Sequence, residues 1–155
     1  MPTEQDVHRY LEPEENLLAV FFSREVGYFY VPHQSPVHED EGIVAFTSHR
    51  ILILQKHKGG GILGGAAREE VYSVPISNLN AVEMVVFEGR ESAWVTLVMA
   101  AGFCCRFGVR GSNVDNAQHL LARLMMSTRS IQPDNGGAMT AIRFHEQRKK
   151  QAAIE

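Results

Sequence analysis

The sequence predicts a mainly β domain closed by a single C-terminal α-helix. Three observations predict it. Between Asn16 and Val109, short apolar runs rich in Val, Ile and Phe are separated by turn signals at intervals of about ten residues, the pattern of a β-sandwich or barrel. At the centre, Gly42 to Leu54 sets two such runs around the polar tetrad Thr47 to Arg50, which reads as two antiparallel strands joined by a tight turn. Beyond the last run the period changes. Val114, Ala117, Leu120, Leu121, Leu124 and Met125 fall on one face of a helix.

Taken in order, Thr3 with Asp6 forms a weak capping box, and Val7, Tyr10 and Leu11 line one face of a short helix that Pro13 limits. Asn16 to Ser23 is apolar on both faces and reads as a buried strand. Val26 to Val31 reads as a further short strand. Pro32, Pro36 and the acidic run Glu39-Asp40-Glu41 then read as a long loop. After the central hairpin comes the glycine-rich connector Lys56 to Gly65, whose backbone is permissive and entropically costly to order. Strands are expected at Val71–Val74, Leu79–Phe87, Ala93–Met99 and Phe103–Val109. Ser112 and Asp115 supply the N-cap and acidic first turn of the helix, and Arg123 suits its last turn. Residues 1–127 are therefore expected to form the domain, 128–137 a linker, and 138–155 a polar tail, helical or disordered.

The 155 residues are 45% apolar and 21% charged, an ordinary balance for a soluble globular chain. No apolar run is long enough to span a bilayer, and the acidic N-terminus does not read as a signal peptide. A cytoplasmic location is expected, with a peripheral one at the inner face of the membrane as the variant. The adjacent Cys104 and Cys105 point to opposite faces of a strand and lack metal-site spacing, so they read as reduced strand residues. The net charge of −3 is uneven: nine acidic and two basic residues up to Thr47, nine acidic and thirteen basic from Ser48 on. That asymmetry fits either head-to-tail assembly or a solvated surface of both signs. No concentrated basic face marks a nucleic-acid binder.

The chain resembles the pleckstrin-homology-like (PH-like) domains, specifically the bacterial ones. The residues carrying the resemblance are Leu11-Glu12-Pro13-Glu14-Glu15 before the first strand, the hairpin Gly42 to Leu54 with its Thr47-x-x-Arg50 turn, the connection Val74-Pro75-Ile76-Ser77-Asn78-Leu79, and the closing helix Asn113 to Ser127. The resemblance spans Leu11 to Ser127. It implies a bent antiparallel sheet of seven strands, a partly open barrel, plugged by Leu120, Leu121 and Leu124 of the helix. It also implies a binding and self-assembly role, since bacterial members commonly form rings through strand edges. No catalytic role, cofactor or metal comes with it.

Each candidate site has a plainer reading beside it. Gly59-x-Gly61-x-x-Gly64 matches a dinucleotide fingerprint, but Val71 to Pro75 arrives too soon for the crossover helix that fingerprint needs. No P-loop pattern is present. The same loop sets Ile62 and Leu63 between Lys56, Lys58 and Arg68, as in loops that dip into membranes. Two aliphatics at ~1.5 kcal/mol and three cations at ~1 kcal/mol give about 6 kcal/mol, a dissociation constant of tens of micromolar for one copy. The plainer reading is a hairpin loop or subunit contact. The loop ending in Glu39-Asp40-Glu41 repels phosphate, which argues against inositol-phosphate recognition. His33, His38, Glu39 and Asp40 have metal-ligand chemistry but read as solvated loop residues. The basic tail, Arg143, Arg148, Lys149 and Lys150, is a candidate partner contact. No nucleophile–base arrangement has a recognisable local signature. The sequence thus favours a non-catalytic binding module forming homo-oligomers or holding a protein partner; a peripheral membrane adaptor is the alternative, and a small-ligand carrier or enzyme the third reading.

Overall fold

The computed structural model describes residues 2–30, 39–57, 68–87, 91–131 and 143–147. Helix α1 (Glu4–His8) is followed by strands β1 (Leu17–Tyr30), β2 (Glu39–Thr47), β3 (Arg50–His57) and β4 (Arg68–Pro75). A 3-10 turn, Ile76–Asn78, leads to β5 (Leu79–Phe87) and β6 (Ser92–Met99), and another, Ala100–Gly102, leads to β7 (Phe103–Arg110). Helix α2 (Asn113–Ile131) and β8 (Arg143–Gln147) complete the order. The strands form one sheet ordered β4-β3-β2-β1-β7-β6-β5-β8. Strands β1 to β7 pair antiparallel, and β8 adds to β5 in parallel.

Strand β1 joins the two halves of the sheet. The sequence suggests two strands here, broken near Arg24; the chain instead runs through as one bent strand. β1 pairs with β2 from Leu17 to Gly27 and with β7 from Val26 to Tyr30. The bend falls at the register shift between Ser23 and Val26. There the buried Ser23 hydroxyl accepts the Glu25 N–H at 3.1 Å and the Gly108 N–H at 3.2 Å. A side chain thus satisfies backbone donors that the interrupted ladder leaves unpaired.

The hairpin β2–β3 forms as expected, with register Gly42↔Gln55 to Phe46↔Ile51. Its runs are apolar at every position because both faces are covered. Val44, Phe46, Ile51 and Ile53 face the main core, while Ile43, Ala45, Leu52 and Leu54 join a second cluster with Val7 of α1. The acidic residues Glu39, Asp40 and Glu41 belong to β2 and not to a loop. Part of what holds this end is Gln55, buried, whose Nε2 donates to the Val26 carbonyl at 3.0 Å and the Asp40 carbonyl at 3.3 Å. Gly42 lies against this junction: a Cβ on it would stand 2.8 Å from the Leu54 carbonyl oxygen and 2.9 Å from Gln55 Cγ. Gly42→Ala is therefore expected to lower stability by about 1–3 kcal/mol through overpacking, read as a lower urea midpoint at unchanged slope.

In the main core Phe21 meets Phe46 edge-on and Phe107 at a tilt, each with centroids 5.9 Å apart. Helix α2 buries Val114, Ala117, Leu120, Leu121 and Leu124 in one core cluster with residues from both halves of the sheet, as the helical spacing predicts. It continues to Ile131, through the first residues of the expected linker. The tail also differs from expectation. Arg143–Gln147, read as helical or disordered, is a strand on the β5 edge, because an edge strand offers backbone groups that a passing segment satisfies. Cys104 and Cys105 are buried and free, and burial pushes both thiols up.

Candidate functional site

The polar groups of the described residues concentrate where the N-terminal segment crosses β3 and β4. Its centre is the turn residue Thr47, whose hydroxyl accepts the N–H groups of His49 at 3.1 Å and Arg50 at 3.0 Å and donates to Glu15 Oε2 at 2.6 Å. This explains a Thr three residues before an Arg: the first closes the turn and the second reaches back. Arg50 Nε lies 2.9 Å from Glu15 Oε2, its Nη2 2.9 Å from Glu15 Oε1, and its Nη1 3.1 Å from Ser73 Oγ; Nη2 also donates to the Tyr10 carbonyl. The Glu15 side chain is 2% exposed and that of Arg50 21%. The Arg50 guanidinium, with Thr47 and the Glu12 N–H, holds the Glu15 carboxyl down at about 2 against the burial that would raise it. An ionised, fully engaged carboxylate is an anchor, not a proton carrier.

A second knot fixes α1. Asp6 accepts from the Thr3 N–H at 2.7 Å, the Thr3 hydroxyl at 3.0 Å, Lys56 Nζ at 2.9 Å, and Arg9. These donors, the Thr3 N–H first, hold its carboxyl well below the usual range. The Tyr10 hydroxyl donates to Glu69 Oε1 at 2.8 Å, and that bond raises the phenol. The bonds of Thr3 and Asp6 are the capping box that the sequence suggests; the same Asp6 also ties the helix to β3.

Beside the Glu15–Arg50 pair opens a cleft of about 620 Å³, lined by Glu12, Pro13, Glu14, Glu15, His49, Arg50, Ser73 and Pro75. Its one guanidinium is consumed by Glu15. A second cleft, about 660 Å³, runs between Leu18–Phe21 of β1 and the α2 residues Asn116, His119, Leu120 and Arg123. N-terminal to Val26, no described strand pairs with β1 on the side away from β2. Leu18 and Phe22, 45% and 46% exposed, lie on this half-strand. Tyr72, the third large apolar side chain exposed among the described residues, packs on Tyr28 at 4.7 Å and Phe103 at 5.9 Å between ring centroids.

The sequence-derived contact residues are only partly brought together. Lys56 and Arg68 stand at the same end of the β3–β4 hairpin, where Lys56 is in register with Glu69 and His57 with Arg68. Lys56 is taken by Asp6, and Arg68 Nη2 lies 3.5 Å from Glu70 Oε1. Lys58, Ile62 and Leu63 lie outside the described residues, as do Arg148, Lys149 and Lys150; Arg143 opens β8. His33 and His38 also lie outside them, and among the described residues no group of three His, Cys, Asp or Glu converges as a metal site. No helix among the described residues is long and apolar enough to cross a membrane. Sequence reasoning missed the β1–α2 cleft and the Glu15–Arg50 pair. Both partners of that pair stood in noted motifs, Leu11 to Glu15 and Thr47-x-x-Arg50, but nothing local signals that the two motifs meet.

No protein-family model matches the chain, and no curated protein matches it in sequence. Solved structures do. The Vps36 N-terminal PH domain superposes with a TM-score of 0.51 at 15% identity, covering 80% of this chain and 86% of its own. The hSac2 domain from the human phosphoinositide phosphatase Sac2 gives 0.51 at 9% identity, covering 97% and 94%. The PH domain of USP37 gives 0.44 at 12% identity, covering 70% and 96%. The chain therefore has a PH-like fold: seven antiparallel strands in a bent open sheet and one closing helix, here with an eighth strand added.

Proposed function

We propose that this chain is a non-catalytic binding module that assembles with copies of itself through strand edges. The observation supporting this most directly is the N-terminal half of β1, which has no pairing partner on one side among the described strands and carries Leu18 and Phe22 in the open. Unpaired backbone and exposed apolar side chains on one strand are the ingredients of strand addition. β4, at the end of the sheet order, pairs only with β3 among the described strands and offers a second edge. The acidic front and basic rear of the sequence favour heterologous contact between copies. Light scattering on the eluting chain tests this. A mass above the 17.3 kDa of one chain is expected, shifting to one chain in Leu18→Lys/Phe22→Lys. A single-chain mass at every concentration would remove self-assembly from the reading.

The second reading is a peripheral membrane adaptor, favoured by the hairpin that brings both flanks of residues 58–67 to one end of the sheet. The ion pairs of Lys56 and Arg68 weaken its electrostatic part. On this reading the chain floats with anionic vesicles, and Ile62→Ser/Leu63→Ser abolishes flotation. Flotation unchanged by that double substitution rejects it.

A further inference from the structure

The sheet ends on a strand that is not part of its antiparallel framework. β5 pairs with β6 on one side, and Val82, Met84 and Val86 point into the main core. Its other side would be a bare edge, with a row of N–H and C=O groups in need of partners. Arg143–Gln147 supplies them in parallel, with Arg143 in register with Glu83, Phe144 with Met84, His145 with Val85, Glu146 with Val86 and Gln147 with Phe87. The segment reaches β5 from the far end of α2 through residues 132–142, which include Pro133, Gly136 and Gly137.

Three features make this a replaceable occupant. The strand has five residues, and parallel pairing is weaker per residue than antiparallel. It stands at the last place in the sheet order, with β5 as its pairing partner. It follows α2 in the same chain, so its docking on β5 is intramolecular, and a segment of another molecule competes with it by concentration. An extended segment from another molecule makes the same main-chain bonds. Specificity then comes from two successive positions: a basic residue in register with Glu83, the acid of β5, and an aromatic residue in register with buried Met84.

We propose that the β5 edge is a docking site for an extended partner segment with a basic residue followed by an aromatic one, and that Arg143–Gln147 occupies this edge in cis until displaced. The inference deepens the binding-module reading and rests on it. It differs from the β1 and β4 contacts, because this edge is closed until its own strand leaves.

The test uses the isotopically labelled full chain, its variant Phe144→Pro/Glu146→Pro, and a synthetic peptide with the sequence of residues 141–149. In the wild type, β5 amides directed at β8 are expected to exchange slowly with solvent. In the proline variant they exchange fast, and the peptide restores their protection. Its apparent affinity for the variant is expected to be at least roughly tenfold tighter than for the wild type, because the tethered competitor is gone. A scrambled peptide does neither. Equal exchange of β5 amides in both proteins overturns the proposal, as does a folded proline variant that ignores the peptide, or equal peptide affinity for both. If the proline variant fails to fold, Arg143→Glu opposes Glu83 without altering the backbone and is expected to raise peptide affinity several-fold; no change overturns the proposal. A chain that takes the peptide but stays single by light scattering loses self-assembly and keeps this site. One that assembles but never takes the peptide does the reverse.

Discussion

Removing residues 113–155 is expected to leave a chain that no longer melts cooperatively. The main core is not enclosed by the sheet alone. Its members on both halves of the sheet, from Phe21, Phe46 and Ile51 to Val82, Leu97 and Phe107, share one cluster with Val114, Ala117, Leu120, Leu121 and Leu124 of α2. At ~1.5–3 kcal/mol for each fully buried large aliphatic side chain, the three leucines contribute on the order of 5–9 kcal/mol, as much as a domain's whole net stability. Deleting the helix removes that term and opens the core to water. Two comparisons isolate the cause. Truncation after Ile131 removes β8 but keeps α2 and is expected to retain a single calorimetric transition. Leu121→Ala in the full chain is expected to cost about 2–5 kcal/mol. A chain ending at Ser112 that melts like the full one would show that the helix does not close the sheet.

The closing helix was legible because its pattern is local: six apolar residues at helical spacing need no knowledge of what they pack against. The β2–β3 hairpin was legible for the same reason, since Thr47 and Arg50 signal a turn from within four residues. What the sequence hid is set at long range. The bend in β1 looks like a strand end, because Ser23-Arg24-Glu25 is polar; only Gly108, 85 positions away, shows that the serine replaces a ladder partner. Glu39-Asp40-Glu41 has loop composition, yet the Gln55 side chain binds the Asp40 carbonyl and helps hold that end of β2. Lys56 looked like a cation for lipid, and Asp6, 50 positions earlier, takes it. β8 was least legible. Its five residues have no strong strand preference, and their conformation follows from a vacant edge elsewhere in the chain.

Arg50→Met is expected to cost about 2–3 kcal/mol at neutral pH, and the cost should shrink in acid. The substitution leaves Glu15 with a 2% exposed carboxylate and no cation. An uncompensated buried charge costs about 3–5 kcal/mol, and the 21% exposure of Arg50 screens some of this. The pH dependence follows from the carboxyl. In the folded wild type it titrates at about 2, against an ordinary 4.5. A depressed folded value contributes stability that is fully present above 4.5 and is lost as pH falls from 4.5 through about 2. In the variant, burial acts on Glu15 without the guanidinium, so protonation relieves a penalty and stabilises the fold. The gap between the two proteins is therefore widest near neutrality and narrows on descent through that window. Urea denaturation at neutral pH and again between the two pKa values measures it. Glu15→Gln/Arg50→Met, which leaves no stranded charge, should recover part of the loss. A gap constant across the window would mean that Arg50 acts through Ser73 and the Tyr10 carbonyl alone, and that the Glu15 pair does not hold the N-terminal segment to the sheet.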